Sequence, residues 1–333
     1  MTPVTDPNTP TAGSPQLGEL GGYQLLERIG AGALGDVFRA RDTVHGRTVA
    51  IKRVPAALMA DDERLVLLRD TCLALTQVSH PGIAMLYECG DEDGQTFVAQ
   101  EFVPGQSLTQ VLAGRPINAL RAVDLAVRMA DSLAVLHSAG LTHGDLRPDN
   151  IVVTPKGQVK LLDAGLAAFS GGGAVRASAR VGDVPVSSLA VVRYLTPEEA
   201  LGETGDKRAD LFALGLVLYE MLTGQPAFGR PAPDATLLAI LKDSAPVPSK
   251  RQPNLPVELD RIVARALAKP VGARYQTAAE FGDDLRAAKA SLDDELDEPG
   301  VFEPERKSRL WWWVLALAAA AGAITWLVLR SAS

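Results

Sequence analysis

Between residues 22 and 110 the apolar positions fall in short runs broken by turn residues. Val37, Phe38, Val49, Ile51 and Val54 lie in such runs, with Gly46 among the breaks, and this pattern predicts strands and tight turns. Gln95–Val103 reads as a further strand. One stretch has a different period: Leu58, Leu65, Leu68, Leu75 and Val78 predict a helix over residues 58–78.

From residue 117 to 290 the pattern is helical. The segment INALRAVDLAVRMADSLAVLHSAG has apolar residues every three or four positions and stops at Gly140. LFALGLVLYEMLTG is apolar almost throughout, which predicts a helix of the core, broken too soon to cross a membrane. ELDRIVARALAK and TAAEFGDDLRAAKASL read as amphipathic helices. A β-rich portion followed by a helical one predicts an α+β chain of two lobes, with the division near residue 104.

The two ends differ from this middle. Residues 1–20 are dominated by Pro, Thr, Gly and Ser. They have too few large apolar groups to offset the entropy of ordering, which predicts a disordered tail. No basic start leads into an apolar run, so the tail is not a signal peptide. Residues 289–309 read as a charged juxtamembrane linker, acidic first and basic last. Residues 310–329, LWWWVLALAAAAGAITWLVL, carry no charge. Twenty helical residues at about 1.5 Å each reach roughly 30 Å, the thickness of a bilayer's hydrocarbon core. All four tryptophans lie here, near both ends of the segment, where they suit the two interfaces. Arg306, Lys307 and Arg309 precede it and only Arg330 follows. The expectation is a single-pass protein of the inner (cytoplasmic) membrane, with its body in the cytoplasm and residues 330–333 as a short external tail.

Composition narrows the classes. With 333 residues, 47% hydrophobic and 22% charged, the chain cannot be disordered throughout. A net charge of −7 disfavours nucleic acid as a partner. Cys72 and Cys89 are too few for a disulfide framework and sit in no zinc pattern, so they read as buried thiols of a reduced compartment.

Candidate chemistry begins at IGAGALGDV, where Gly30, Gly32 and Gly35 are spaced GxGxxG. Such glycines let backbone amides approach phosphates. A dinucleotide fold would continue into a helix, whereas strands and a turn follow here, which favours a hairpin folded over a nucleotide. Lys52 lies in an apolar strand, VAIK, and reads as a phosphate-binding lysine rather than an edge-strand one. LTHGDLRPDNIVV places Asp145 and Asn150 in a short loop. A carboxylate there can accept a hydroxyl proton, and an amide oxygen can ligate magnesium. Asp163 ends the apolar strand VKLLDAG, well placed for a metal–phosphate complex. Each fragment alone is equally a turn.

In one order, GxGxxGxV, VAIK, HxDxxxxN, DxG and a later PE resemble the signature set of the bacterial eukaryotic-like (Hanks-type) Ser/Thr protein kinases. SHPGIAMLYE, YLTPEEALGE, DLFALGLVLYEMLTGQPAF and ALAKPVGARYQTAAEF extend the resemblance over residues 23–288. It implies a bilobal kinase domain over residues 21–288, binding ATP with Mg2+, or Mn2+, and phosphorylating Ser/Thr hydroxyls of proteins in intracellular signalling. By this resemblance Gly30, Ala31, Gly32, Ala33, Leu34, Gly35, Asp36 and Val37 cover the phosphates, Lys52 holds them, and Ile29 also binds the nucleotide. Val37 and Ala50 sandwich adenine, with Glu101 and Val103 at its edge. Asp145 is the catalytic aspartate and Arg147 stands for the catalytic-loop lysine. Asn150 and Asp163 are the metal ligands. Asp210 braces the catalytic loop, and Glu198 with Arg274 form a structural ion pair.

The chain also departs from the family pattern. The first large helix should offer Lys52 a glutamate, but the position holds Thr71, with Asp70 beside it as a stand-in. Gly144 replaces the usual arginine, which implies independence from loop phosphorylation. Ala164 replaces a phenylalanine, and Val191 a threonine that bonds the catalytic aspartate. Loop 166–190 is expected to be mobile, with Ser170, Ser178, Ser187 and Ser188 as phosphosite candidates. These departures support a second reading, a nucleotide-binding pseudokinase acting as a membrane signalling scaffold.

Overall fold

The computed structural model describes residues 17–32, 34–59, 62–169 and 189–297. Residues 1–292 form one compact unit and residues 293–333 another. The expected membrane span 310–329, Ala33 and the four loop serines lie outside the described residues. No described helix is long and apolar enough to cross a membrane.

Six antiparallel strands make the first sheet: β1 (Glu19–Leu20), β2 (Tyr23–Gly32), β3 (Gly35–Asp42), β4 (Thr48–Arg53), β5 (Leu86–Glu92) and β6 (Gln95–Glu101). Their order is β1-β2-β3-β4-β6-β5. Alternation builds one apolar layer from Tyr23, Leu25, Phe38, Ala40, Val49, Ile51, Phe97 and Ala99. The opposite face of β4 and β6 carries Ala50, Lys52, Val98 and Gln100, because Ala50 pairs with Gln100 and Lys52 with Val98. Two expectations shift here. The expected tail already holds a strand by Glu19, since Leu20 is buried and β1 pairs with β2. The helix expected over 58–78 is a 3₁₀ turn, Ala56–Met59, followed by α1, Asp62–Thr76.

Helix α1 buries Leu68, Cys72 and Leu75, a one-face stripe at spacings of four and three. Cys72 hydrogen-bonds the thiol of half-buried Cys89 on β5, a pairing that the sequence separation conceals. That contact and burial push the Cys72 thiol up.

The helical lobe starts with β7 (Gln106–Ser107) and α2 (Leu108–Leu112), then α3 (Ala119–Ser138), capped by Asn118, whose Oδ1 accepts from the Arg121 amide at 3.2 Å. Strands β8 (Ile151–Val153) and β9 (Val159–Leu161) form a hairpin that β7 joins. Short helices α4 (Leu189–Val192) and α5 (Pro197–Ala200) lead to α6 (Lys207–Thr223). Residues 209–219 of α6 are all buried, as its unbroken apolar run requires. Helices α7 (Pro233–Lys242), α8 (Val257–Ala266) and α9 (Ala278–Asp297) follow. Helix α9 overruns the expected start of the linker at residue 289, because Ala288 and Leu292 continue its buried stripe.

One buried cation sits behind α6. Lys269 Nζ has no hydrogen-bond partner among the described residues and lies 3.6 Å from the Phe228 ring centroid and 5.6 Å from that of Phe212. Burial pushes its ammonium down to about 8. The folded chain therefore releases this proton before the unfolded chain does, and stability rises from about pH 8 towards the ordinary lysine value near 10.4. Lys269→Met is expected to melt at a higher temperature than the parent at pH 7, with the gap closing by pH 10. A constant gap in thermal melts across that interval would refute the assignment.

Candidate active site

Two hairpins and a loop bring the expected site residues together. In the first hairpin Gly30 pairs with Val37, Ala31 with Asp36 and Gly32 with Gly35. Gly35 has a φ of +108°, and a Cβ there would lie 2.3 Å from the Arg53 carbonyl oxygen, so the fold itself demands this glycine. A Cβ on Gly30 would meet nothing, so at that position packing makes no such demand. Ile29 is exposed, as are Ala31 and Gly32. Asp36 is held by Arg28 at 2.7 Å. Leu34, at the loop tip, has its side chain buried in the apolar core at 3% exposure, which anchors the tip.

Val37 is half-buried and pairs directly with Lys52, while Ala50 is buried two pairs further along, opposite Arg39. At the end of β6 the Glu101 amide donates to the Met85 carbonyl at 2.8 Å, and its carboxylate takes Lys160 at 2.7 Å. Val103 follows, half-buried, and no described backbone hydrogen bond engages it.

The second hairpin, β8–β9, sets Asn150 and Asp163 at its two ends. Ile151 pairs with Leu161, and the Leu162 amide donates to the Asn150 carbonyl at 2.8 Å. Asn150 Nδ2 donates to Asp145 twice, to the backbone oxygen at 2.8 Å and to Oδ2 at 3.1 Å. Its Oδ1 is left as the atom that could ligate a metal. Arg147 Nε lies 3.4 Å from the same Asp145 Oδ2, and its Nη1 lies 3.0 Å from Asp149. Asp145 is buried with Asn150 beside it. Asp210 holds the loop from below: its carboxylate accepts the His143 amide at 2.8 Å and the Gly144 amide at 2.9 Å, and meets His137 Nε2 at 2.9 Å. Gly144 has a φ of +74°, a conformation that suits glycine better than the arginine it replaces.

Lys52 Nζ is paired with Asp163 Oδ1. Burial would raise the Asp163 carboxyl, but Lys52, Gln100 and His143 together hold it below its ordinary value. Asp70 is exposed on the outer face of α1, so it is not the partner of Lys52. The inward face of that helix carries Leu68, Cys72 and Leu75 and offers no acid. Gln100, unforeseen from sequence, donates from Nε2 to Asp163 Oδ1 at 3.3 Å. A polar residue closing the apolar run TFVAQ was its only sequence signal. Asp163 itself has a φ of +62°.

Glu198 and Arg274 meet as expected, two parallel bonds of 2.8 Å each. No described cluster of three or more His, Cys, Asp or Glu could hold a metal alone. One carboxylate and one amide oxygen beside a phosphate-bearing ligand are nevertheless a donor set of the kind magnesium takes. The glycine hairpin thus shares its sheet with Lys52, which pairs with Asp163, while Asn150 is bonded to Asp145 at the other end of the β8–β9 hairpin.

The comparisons agree on the family. The model for the protein kinase domain matches residues 23–280, and the chain belongs to that family. The chain is 31% identical to the serine/threonine-protein kinase PknB of Mycolicibacterium smegmatis, with 90% of this chain and 53% of that protein covered. The probable serine/threonine-protein kinase PknB of Bifidobacterium longum is 35% identical, with 80% of this chain and 39% of that protein covered. The chain therefore spans about half the length, or less, of these relatives. The crystal structure of the Mycobacterium tuberculosis PknI kinase domain aligns with a TM-score of 0.64 at 26% identity, covering 81% of this chain and 97% of that one.

Proposed function

We propose that the chain is an active serine/threonine protein kinase of the bacterial PknB type, transferring the ATP γ-phosphate to protein hydroxyls in signalling. The observation that carries this reading is the placement of two bonded pairs, Lys52 with Asp163 and Asn150 with Asp145, with Asp145 buried in a loop whose His143 and Gly144 amides Asp210 holds. In this reading Asn150 and Asp163 hold magnesium, which would neutralise charge on the phosphates. Lys52 leaves Asp163 for the phosphate oxygens. Asp145 orients the substrate hydroxyl and takes its proton as the oxygen bonds the γ-phosphorus, while the bond from that phosphorus to the bridging oxygen breaks and ADP leaves with its electron pair. Arg147, beside Asp145, supplies positive charge in place of a lysine. Ile29, Val37 and Ala50 offer apolar surface to the base, and the Val103 backbone offers its polar edge a partner.

The scaffold reading draws on the acid-free inner face of α1 and on Ala164. One assay separates the two: transfer of labelled γ-phosphate from magnesium–ATP to a generic basic protein. Incorporation by the parent and none by Asp163→Asn supports the kinase. Nucleotide binding without incorporation supports the scaffold. Residues 310–329 serve as the membrane anchor in this proposal, so the full chain sediments with membranes and a chain lacking residues 310–333 does not.

A further inference from the structure

Gln100 is 4% exposed, and its neighbours around a cavity of about 10 Å³ include Leu75, Val78, Leu86, Ala164 and Leu166. In such surroundings an amide is a costly choice over an apolar side chain of the same length. A carboxylate only accepts, so the amide group facing Asp163 must be the donor. The strand register puts Gln100 opposite Ala50, on the cleft face that carries Lys52. Both Lys52 and Gln100 use the same oxygen, Oδ1 of Asp163.

Asp163 needs such support more than most residues. Its φ of +62° is a conformation that L-residues hold only when their surroundings fix it. The next residue, Ala164, gives the buried cavity only a methyl group. Nor does α1 supply an acid that could keep Lys52 away from Asp163. When Lys52 turns to a phosphate, Gln100 is the one remaining described side-chain donor on Oδ1.

We infer that Gln100 is a positioning residue for Asp163, tethering Oδ1 so that the carboxylate keeps its place for magnesium while Lys52 is engaged with phosphate. This inference rests on the reading of Asp163 as a magnesium ligand. It places in strand β6 a task that an acid on α1 and a large side chain at position 164 do not perform in this chain.

The test uses the full chain with Gln100→Met, which keeps length and volume and removes the donor. ATP binding is measured by calorimetry in excess magnesium and again in EDTA. The expected result is an affinity about tenfold weaker with magnesium and little changed without it. Equal weakening in both conditions means that Gln100 only shapes the pocket and overturns the inference, as does no change in either. A second measurement needs no nucleotide: thermal stabilities of Gln100→Met, Asp163→Ala and the double variant, alanine removing the oxygen that Gln100 donates to. The double variant is expected to lose less than the sum of the single losses, and strict additivity overturns the inference. If the parent binds no ATP, the kinase reading fails while this cycle still decides the Gln100–Asp163 coupling. Should Gln100→Met not fold, Gln100→Leu serves in both measurements.

Discussion

Replacing Asp145 by alanine is expected to lower phosphoryl transfer by about 10²- to 10⁴-fold, the range that a positioned acid–base group contributes. Asp145 Oδ2 is fixed by Asn150 at 3.1 Å and faced by Arg147 at 3.4 Å, so the carboxylate has a defined direction before any substrate arrives. The loop beneath it is held by Asp210 through two backbone amides, which the alanine leaves intact. The variant should therefore fold and bind ATP as the parent does. Its loss should appear in kcat rather than in ATP affinity. Single-turnover transfer, with ATP binding followed in parallel, checks both statements. Unchanged transfer would remove Asp145 from the reaction, and lost ATP binding would make its role structural.

Arg274→Ala is expected to destabilise the helical lobe by about 3–5 kcal/mol, the penalty for breaking a buried ion pair from one side. The Arg274 side chain is fully buried, and Glu198 is only 12% exposed. The guanidinium makes two parallel bonds to that carboxylate and donates to the carbonyls of Ala268 at 2.8 Å and Lys269 at 3.1 Å. It also lies 4.7 Å from the Phe212 ring centroid. Truncation strands an acid and two carbonyls and opens a void the size of the side chain. For a domain of this size the melting temperature should fall by roughly 10 °C. Arg274→Lys should recover only part of this, since an ammonium cannot form the parallel pair. A melting temperature within 2 °C of the parent's for Arg274→Ala would show that solvent reaches Glu198 and replaces the arginine.

The helices and strands were legible because their signals are local. The stripe of α3, the unbroken apolar run of α6 and the alternation on β2 to β4 come from periods of 3.6 and 2, which any short window contains. Boundaries were weaker. The strand Glu19–Leu20 hides in a Pro- and Gly-rich stretch, because two residues carry too little pattern to register. Helix α9 runs to Asp297 through residues whose charge resembles a linker, because charged residues do not by themselves end a helix. Several site residues were legible for another reason: motif order singles out Lys52, Asp145, Asn150 and Asp163, and the last three lie at spacings that a short loop and a hairpin bring together.

By itself, then, the sequence determined the two-lobed architecture, the glycine-rich hairpin, the polar residues of the candidate site and the absence of a glutamate where one was expected on α1. Only the tertiary structure decided what Lys52 pairs with, and it chose Asp163, 111 positions away, over the nearby Asp70. The same holds for Gln100 against Asp163, for Cys72 against Cys89, and for the burial of Leu34. Asp70 fails through helix phase: Leu68, Cys72 and Leu75 claim the inward side, and a residue between them must point to solvent. Partner choice at such positions follows from strand register and helix rotation summed over the whole lobe, and no window of neighbouring residues contains that sum.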